Sequence, residues 1–304
     1  MLFWPGQIRC RNDECSMVAA FSRREILVGA ALAALTRVVG AQTPPRIVTL
    51  EWAETEMVLS LGLIPSGVAD LAGYRQWVGI ENEKLADAVD VGGRQQPSLE
   101  ALMRLKPDLI VTSALRHGAI ASRLKEIAPT ILLDGGSDTA DFYEATRLSL
   151  LSVAEAIGHA ATGLAEWQSF EEQLVAVQKK NRNSVNVIVA QPLPGVARLR
   201  IFTSNSLIMR TLAKAGFSGG IDRGTQSFGF TTFGLEELAT LSADTKLLML
   251  DETVPIELSQ SAIWPVLPMV ASRQVYTIGR NIWPFGSTRS MLRLVEKTTS
   301  ALAI

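Results

Sequence analysis

The sequence has 304 residues, 29 basic and 30 acidic side chains, a formal net charge of −1 and 47% hydrophobic residues. That length suits one large or two medium domains with full cores, and the lack of a basic excess argues against nucleic acid as a partner. The two cysteines, Cys10 and Cys15, precede any plausible folded region, which excludes a disulfide scaffold and a structural zinc site.

In chain order the first element is an export signal. Arg23 and Arg24 precede an apolar run over residues 26–35, and Val39-Gly40-Ala41 offers small residues for a signal peptidase before Gln42. The run is much shorter than the roughly 18 residues that cross a bilayer. Residues 22–27 (Ser-Arg-Arg-Glu-Ile-Leu) read as a twin-arginine signal, with an ordinary Sec signal as the alternative. Met17 is the expected start, and residues 1–41 form the signal region. From Gln42 onward the chain carries 24 basic and 27 acidic residues and no cysteine, as expected of a soluble, exported, periplasmic protein.

Short β-branched runs then predict strands over 47–50, 109–112, 130–133, 185–190, 246–250 and 274–278. Helical spacing predicts helices over 54–61, 99–105, 120–127, 207–215 and 235–241. Strands alternating with helices indicate an α/β fold with largely parallel sheets. The halves also repeat. Ser98-Leu99-Glu100-Ala101-Leu102 through Asp108 matches Gly234-Leu235-Glu236-Glu237-Leu238 through Asp244, and Arg46-Ile47-x-Thr49 with Gly62 matches Arg200-Ile201-x-Thr203 with Gly216. Two matches in the same order favour duplicated lobes, the first with an extra loop around residues 73–88. Between the halves, Leu164, Trp167, Phe170, Leu174 and Val177 mark one face of a long helix. The expected division is an N-terminal lobe (42–158), an interlobe helix (159–182) and a C-terminal lobe (183–304).

Catalytic motifs are missing from this pattern. His117 and His159 are the only histidines, too few for a multi-histidine metal site, and there is no Gly-x-Ser-x-Gly elbow, Walker A loop or dinucleotide fingerprint. His117 follows a strand at the carboxyl end, where α/β proteins bind ligands, yet no nucleophile accompanies it. An enzyme fits poorly. Aromatics and arginines instead gather in expected loops: Trp52, Tyr74, Arg75, Trp77, Arg94, Arg116, Phe228, Phe230, Trp283 and Phe285. Each alone could pack on its own lobe; recurring in both halves, they suit a cleft between lobes.

At residues 46–70, 74–78 (Tyr-Arg-Gln-Trp-Val), 90–111 (with Val91-Gly92-Gly93-Arg94) and 264–286, the chain resembles the ferric-hydroxamate siderophore binding proteins of bacterial ABC importers, the ferrichrome-type periplasmic receptors. The resemblance runs through essentially the whole mature chain. It implies two similar α/β lobes joined by a single long helix, with a cleft between them. It also implies that the ligand's own oxygens hold the iron, so that the protein supplies no metal ligand and carries no cofactor. Arg94 matches the arginine that donates to hydroxamate oxygens, a role suited to a planar, permanently charged fork. Trp77 and Trp283 match aromatics around the ligand, with Phe285 at a tyrosine position and Phe228 at a tryptophan position. Trp52 and Tyr74 complete the expected lining. A second donor, tyrosine in the family, falls on Arg116, or on His117 if the loop shifts by one.

Glu100 and Glu236 match carboxylates that dock on permease arginines; simple helix-start charges are the alternative reading. The resemblance thus implies capture of a ferric hydroxamate siderophore for an inner-membrane ABC transporter. The same fold carrying haem, cobalamin or a catecholate complex is the alternative, with a siderophore-processing enzyme behind it. A second cation at Arg116 beside Arg94 further predicts a preference for anionic complexes, such as citrate-based hydroxamates. If Arg116 faces solvent and His117 takes the donor's place, that preference is not expected.

Overall fold

The computed structural model of the chain describes residues 44–134, 141–181, 184–223 and 226–304. The expected signal region, with Met17 and both cysteines, lies outside them. Ile47-Val48-Thr49 is a fully buried β-branched run and forms β1 (Ile47–Thr49), the middle strand of the first sheet. The lobe continues through α1 (Trp52–Ser60), β2 (Gly67–Val68), α2 (Leu71–Trp77), β3 (Val89–Asp90), α3 (Leu99–Leu105), β4 (Leu109–Ser113), α4 (Ala121–Ile127) and β5 (Thr130–Leu133). Its sheet is parallel throughout, in the order β3-β2-β1-β4-β5. The carboxyl ends of β1, β3 and β4 therefore open on one edge, where a parallel α/β sheet receives ligands. Asp70 and Ser98 accept the backbone N–H groups of Gly73 and Ala101, capping α2 and α3 at that edge.

Two antiparallel helices follow, α5 (Phe142–Ala156) and α6 (Ala160–Lys180). They approach closely at Gly163, where a Cβ would stand 2.5 Å from that of Ala154. Of the expected apolar face of α6, Trp167, Phe170 and Leu174 are buried and Val177 is partly buried, while Leu164 is exposed. The second lobe holds β6 (Asn186–Pro192), β7 (Leu199–Phe202), α7 (Leu207–Lys214), β8 (Ser218–Gly219), β9 (Phe230–Phe233), β10 (Lys246–Met249) and β11 (Val275–Thr277). The chain closes with α8 (Thr288–Leu302).

The second sheet runs β11-β10-β6-β7-β9 and is mixed. β11, β10 and β6 are parallel, whereas β7 lies antiparallel to both β6 and β9. The internal repeat is therefore local: a strand followed by a helix recurs at 47–60 and 201–214, but β1 sits in parallel ladders and β7 in antiparallel ones. The expected extra loop is also corrected, since Tyr74, Arg75 and Trp77 sit on the helix α2.

One apolar core runs without a break from Ile47, Val58 and Val111 in the first lobe, through Trp167 and Phe170 of α6, to Val189, Phe202 and Leu294 in the second. Polar contacts from α8 reinforce it. Glu56 of α1, fully buried, accepts the backbone N–H groups of Ser287 (3.0 Å) and Ser290 (2.9 Å) and the Ser290 hydroxyl (2.5 Å) at the start of α8. Arg293 donates to the carbonyls of Val78 (2.5 Å) and Gly79 (3.1 Å), and Arg289 reaches Glu81 (3.2 Å). The last helix is thus a second tie between the lobes, beside α6.

Candidate functional site

Glu51 is the second residue past the buried end of β1 and the N-cap position of α1, and it draws two arginines to itself. Arg94 Nε (3.1 Å) and Nη2 (2.5 Å) donate to its Oε2, and Arg116 Nε stands 2.5 Å from its Oε1. Burial pushes the Glu51 carboxyl up, against the pull of both guanidiniums. Arg94 also lies over the ring of Trp52 (4.1 Å) and near that of Trp283 (5.3 Å), which fixes the plane of its fork.

These groups form one wall of a cleft of about 400 Å³. The facing wall comes from the second lobe: Arg200 on β7, Phe230 on β9, Phe228 just before it, and Trp283 and Phe285 ahead of α8. The rings touch one another, with Phe228 stacked on Phe230 (6.1 Å) and Phe285 edge-on to both Phe230 (6.0 Å) and Trp283 (5.6 Å). Phe228 reaches this position through a left-handed backbone (φ 61°), rare for an aromatic residue. Gly229 beside it has no room for a side chain, since a Cβ would meet Ser206 Cα at 2.7 Å.

Of the three guanidiniums that line the cleft, Arg200 is the one with no ion pair among the described residues. Its Nη1 donates to Gln191, its register partner across the β6–β7 ladder (2.8 Å), and its guanidinium lies over Phe230 (4.3 Å). Its buried Nε has no partner, and it makes no ion pair among the described residues. Burial among apolar groups lowers its pKa. Glu54, third residue of α1, also lines the cleft, with one buried oxygen unpartnered. Desolvation, reinforced by the neighbouring Glu51 charge, leaves its pKa pushed up to about 8. Larger hollows of about 640 and 850 Å³ lie elsewhere, along α3 and α4 and along α6, without such a convergence of aromatics and guanidiniums.

Of the expected site residues, Arg94, Arg116, Phe228, Trp283 and Phe285 line the cleft. Trp52 is buried beneath Arg94, its Nε1 donating to the Asp70 carbonyl, so it supports the arginine from below. Tyr74 is wholly buried and donates to the Ile80 carbonyl (3.0 Å), which removes it from the lining. His117 is corrected likewise. At 1% exposure it faces the sheet, its Nδ1 2.6 Å from Thr112 Oγ1, and burial lowers its pKa. Trp77 lines a neighbouring hollow of about 470 Å³ with Pro192, Asp251 and Arg280; Arg200 borders both spaces. The expected bare pairing of Arg94 with Arg116 is corrected too, because Glu51 lies between them.

Sequence reasoning missed Glu51, Glu54 and Arg200. Position alone could have flagged the first two, directly after a buried strand, and a lone arginine within Leu-Arg-Ile-Phe the third. Glu100 and Glu236 are both exposed in the first turns of their helices, Glu100 only loosely paired with Arg104 (3.6 Å). Among the described residues no group of His, Cys, Asp and Glu could hold a metal ion, and no helix is long and apolar enough to cross a membrane.

A family model described as periplasmic binding protein matches residues 47–281. The iron(3+)-hydroxamate-binding protein FhuD of Escherichia coli (strain K12) is 29% identical over 293 residues, 92% of this chain and 96% of its own. The Fe(3+)-citrate-binding protein YfmC of Bacillus subtilis (strain 168) is 31% identical over 249 residues, 79% of this chain and 75% of its own. In structure, the chain is similar to the Fe3+–Desferal-bound siderophore binding protein FhuD of Vibrio cholerae. The TM-score is 0.77 at 22% identity, covering 86% of this chain and 98% of that one, a likeness of fold.

Proposed function

The chain belongs to the periplasmic binding protein family, and from that premise we propose that it captures a ferric siderophore with hydroxamate arms and negative charge and passes it to an ABC permease. Its work is binding rather than catalysis, as in the relatives named above. Iron is cargo in this reading, held by the siderophore's own oxygens. Export to the periplasm through the signal in residues 1–41, and docking of the permease on Glu100 and Glu236, belong to the same proposal. So does the division into lobes at 42–158 and 183–304 about the helix 159–182.

The observation that carries the reading is the charge of an otherwise aromatic cleft. Arg94, Arg116 and Arg200 face one ionised carboxylate, Glu51, while the Glu54 carboxyl, pushed up to about 8, is mostly neutral at pH 7. Three cations less one anion leave a surplus of two positive charges in a partly desolvated space. Such a surplus attracts an oxygen-rich anion and disfavours a cationic complex. The aromatic rings cover apolar arms and exclude water from the guanidinium contacts. Arg94 and Arg200, on opposite walls, offer guanidinium N–H groups to a ligand's oxygens.

Tryptophan fluorescence titration tests this, because Trp52 and Trp283 flank Arg94. The panel is a ferric citrate dihydroxamate (ferric aerobactin), ferric citrate, ferrichrome, ferrioxamine, haem and cobalamin. Ferric aerobactin is expected to bind at least tenfold tighter than ferrichrome or ferrioxamine. Tighter binding of haem or cobalamin overturns the siderophore reading, and ferric citrate binding alone removes the hydroxamate.

A further inference from the structure

Glu54 is a buried titratable group whose carboxyl has its own backbone N–H for company and one oxygen with no partner among the described residues. It is 5% exposed, sits in the first turn of α1 and borders the cleft, and its Oε2 has no hydrogen-bond partner among the described residues. Burying an unpaired carboxyl is unfavourable, and an apolar residue of similar size would fill the same volume without that penalty. The two neighbouring carboxyls also differ in company. Glu51 has both guanidiniums at 2.5 Å, so it keeps the charge. Glu54 is deeper, lacks a direct cation and lies beside that charge, so it keeps the proton. A neutral carboxyl has an O–H to donate, and the space it borders is the cleft.

We propose that Glu54 acts as a protonated hydrogen-bond donor to an oxygen of the bound ferric complex, and that its ionisation releases the ligand. The proposal rests on the siderophore reading of the cleft and adds to it a specificity residue and a proton linkage. Ionisation acts twice: it replaces the only donor at that point with a second acceptor, and it lowers the cleft's positive surplus from two charges to one. Both changes oppose an oxygen-rich anion.

The charged and titratable groups around Glu54 do not reproduce this behaviour. Glu51 faces it from the start of α1, Arg94 from the loop after β3, Arg116 from the turn after β4, and Arg200 from β7 across the cleft. Guanidinium groups keep their charge throughout the neutral and alkaline range. His117, with its pKa lowered by burial, is neutral there.

The test measures the dissociation constant of ferric aerobactin at pH 6.5, 7.5 and 9 by fluorescence, for wild type, Glu54→Gln and Glu54→Leu. If only the protonated form binds, the wild-type constant weakens by about tenfold between pH 6.5 and 9. Glu54→Gln, which cannot ionise, is expected to lose that dependence, and Glu54→Leu to bind more weakly than wild type at pH 6.5. Thermal melts of the ligand-free proteins supply a second readout. A carboxyl whose folded pKa is raised contributes stability at low pH that is lost as pH rises, so wild type is expected to lose melting temperature relative to Glu54→Gln between pH 5 and 9. Binding with the same pH dependence in Glu54→Gln as in wild type overturns this inference alone, as does a melting difference that does not vary with pH. A panel in which no ferric siderophore binds wild type overturns the siderophore reading and takes this inference with it.

Discussion

Replacing Glu56 by Ala is expected to destabilise the protein by about 3–5 kcal/mol. The carboxylate accepts three hydrogen bonds, from the backbone N–H groups of Ser287 and Ser290 and from the Ser290 hydroxyl, and it is 0% exposed. Each buried donor left without an acceptor costs about 1–3 kcal/mol. The relief of no longer burying a carboxylate offsets part of that sum, which brings the net to the figure given. Glu56→Gln keeps one acceptor oxygen but turns an amide N–H toward the donors, and is expected to lose about 1–2 kcal/mol. Urea unfolding at pH 7 measures both. With a slope near 3 kcal/mol/M, Glu56→Ala lowers the midpoint by about 1–1.7 M. A loss below about 1 kcal/mol for Glu56→Ala would show that its three bonds do not hold α8 and refute this part of the tie.

Three further outcomes follow from the cleft and its rim. Arg94→Ala is expected to weaken siderophore binding by about 2–4 kcal/mol with the fold intact, read by fluorescence titration; an unchanged constant in a stable variant removes Arg94 from the site. Arg200→Leu is expected to weaken ferric aerobactin by about 1.5–3 kcal/mol and ferrichrome by much less, since only the anionic complex brings it a counter-charge. Equal losses for both complexes sink that assignment. Glu100→Ala combined with Glu236→Ala is expected to leave affinity unchanged and to abolish growth on the siderophore as sole iron source; growth at the wild-type rate refutes docking on these carboxylates.

The strands that were legible in the sequence are those with enough residues to carry a pattern. β4 and β5 announce themselves as β-branched and aliphatic runs, and β10 as Lys-Leu-Leu-Met. β2 and β3 are two residues each, held by neighbours in the sheet rather than by any periodicity of their own. β7 and β9 are hidden for another reason: Arg200 and the Thr231-Thr232 pair break the apolar run, and their antiparallel pairing is a tertiary choice. Gly73 made α2 read as a loop, yet Asp70 caps it and Tyr74 anchors it. In the cleft, Arg94, Arg116, Phe228, Trp283 and Phe285 stand out in sequence as loop arginines and aromatics, and the family resemblance adds the ligand they would meet. Glu51 and Glu54 look in sequence like ordinary helix-start acids; burial distinguishes both, and the two arginine pairs distinguish Glu51.

The bonds from Glu56 to the start of α8 join residues 231 and 234 positions apart. A contact of that separation closes a loop of most of the chain before it returns any stabilisation, and topologies rich in such closures fold slowly. During synthesis, therefore, α1 and the sheet edge that carries Glu51 and Glu54 wait for the final helix before their last contacts form. A nascent or truncated chain ending before residue 287 keeps a buried carboxyl site with no donors to fill it. The helix that carries Glu54 along one wall of the cleft is thus secured by the last segment to arrive.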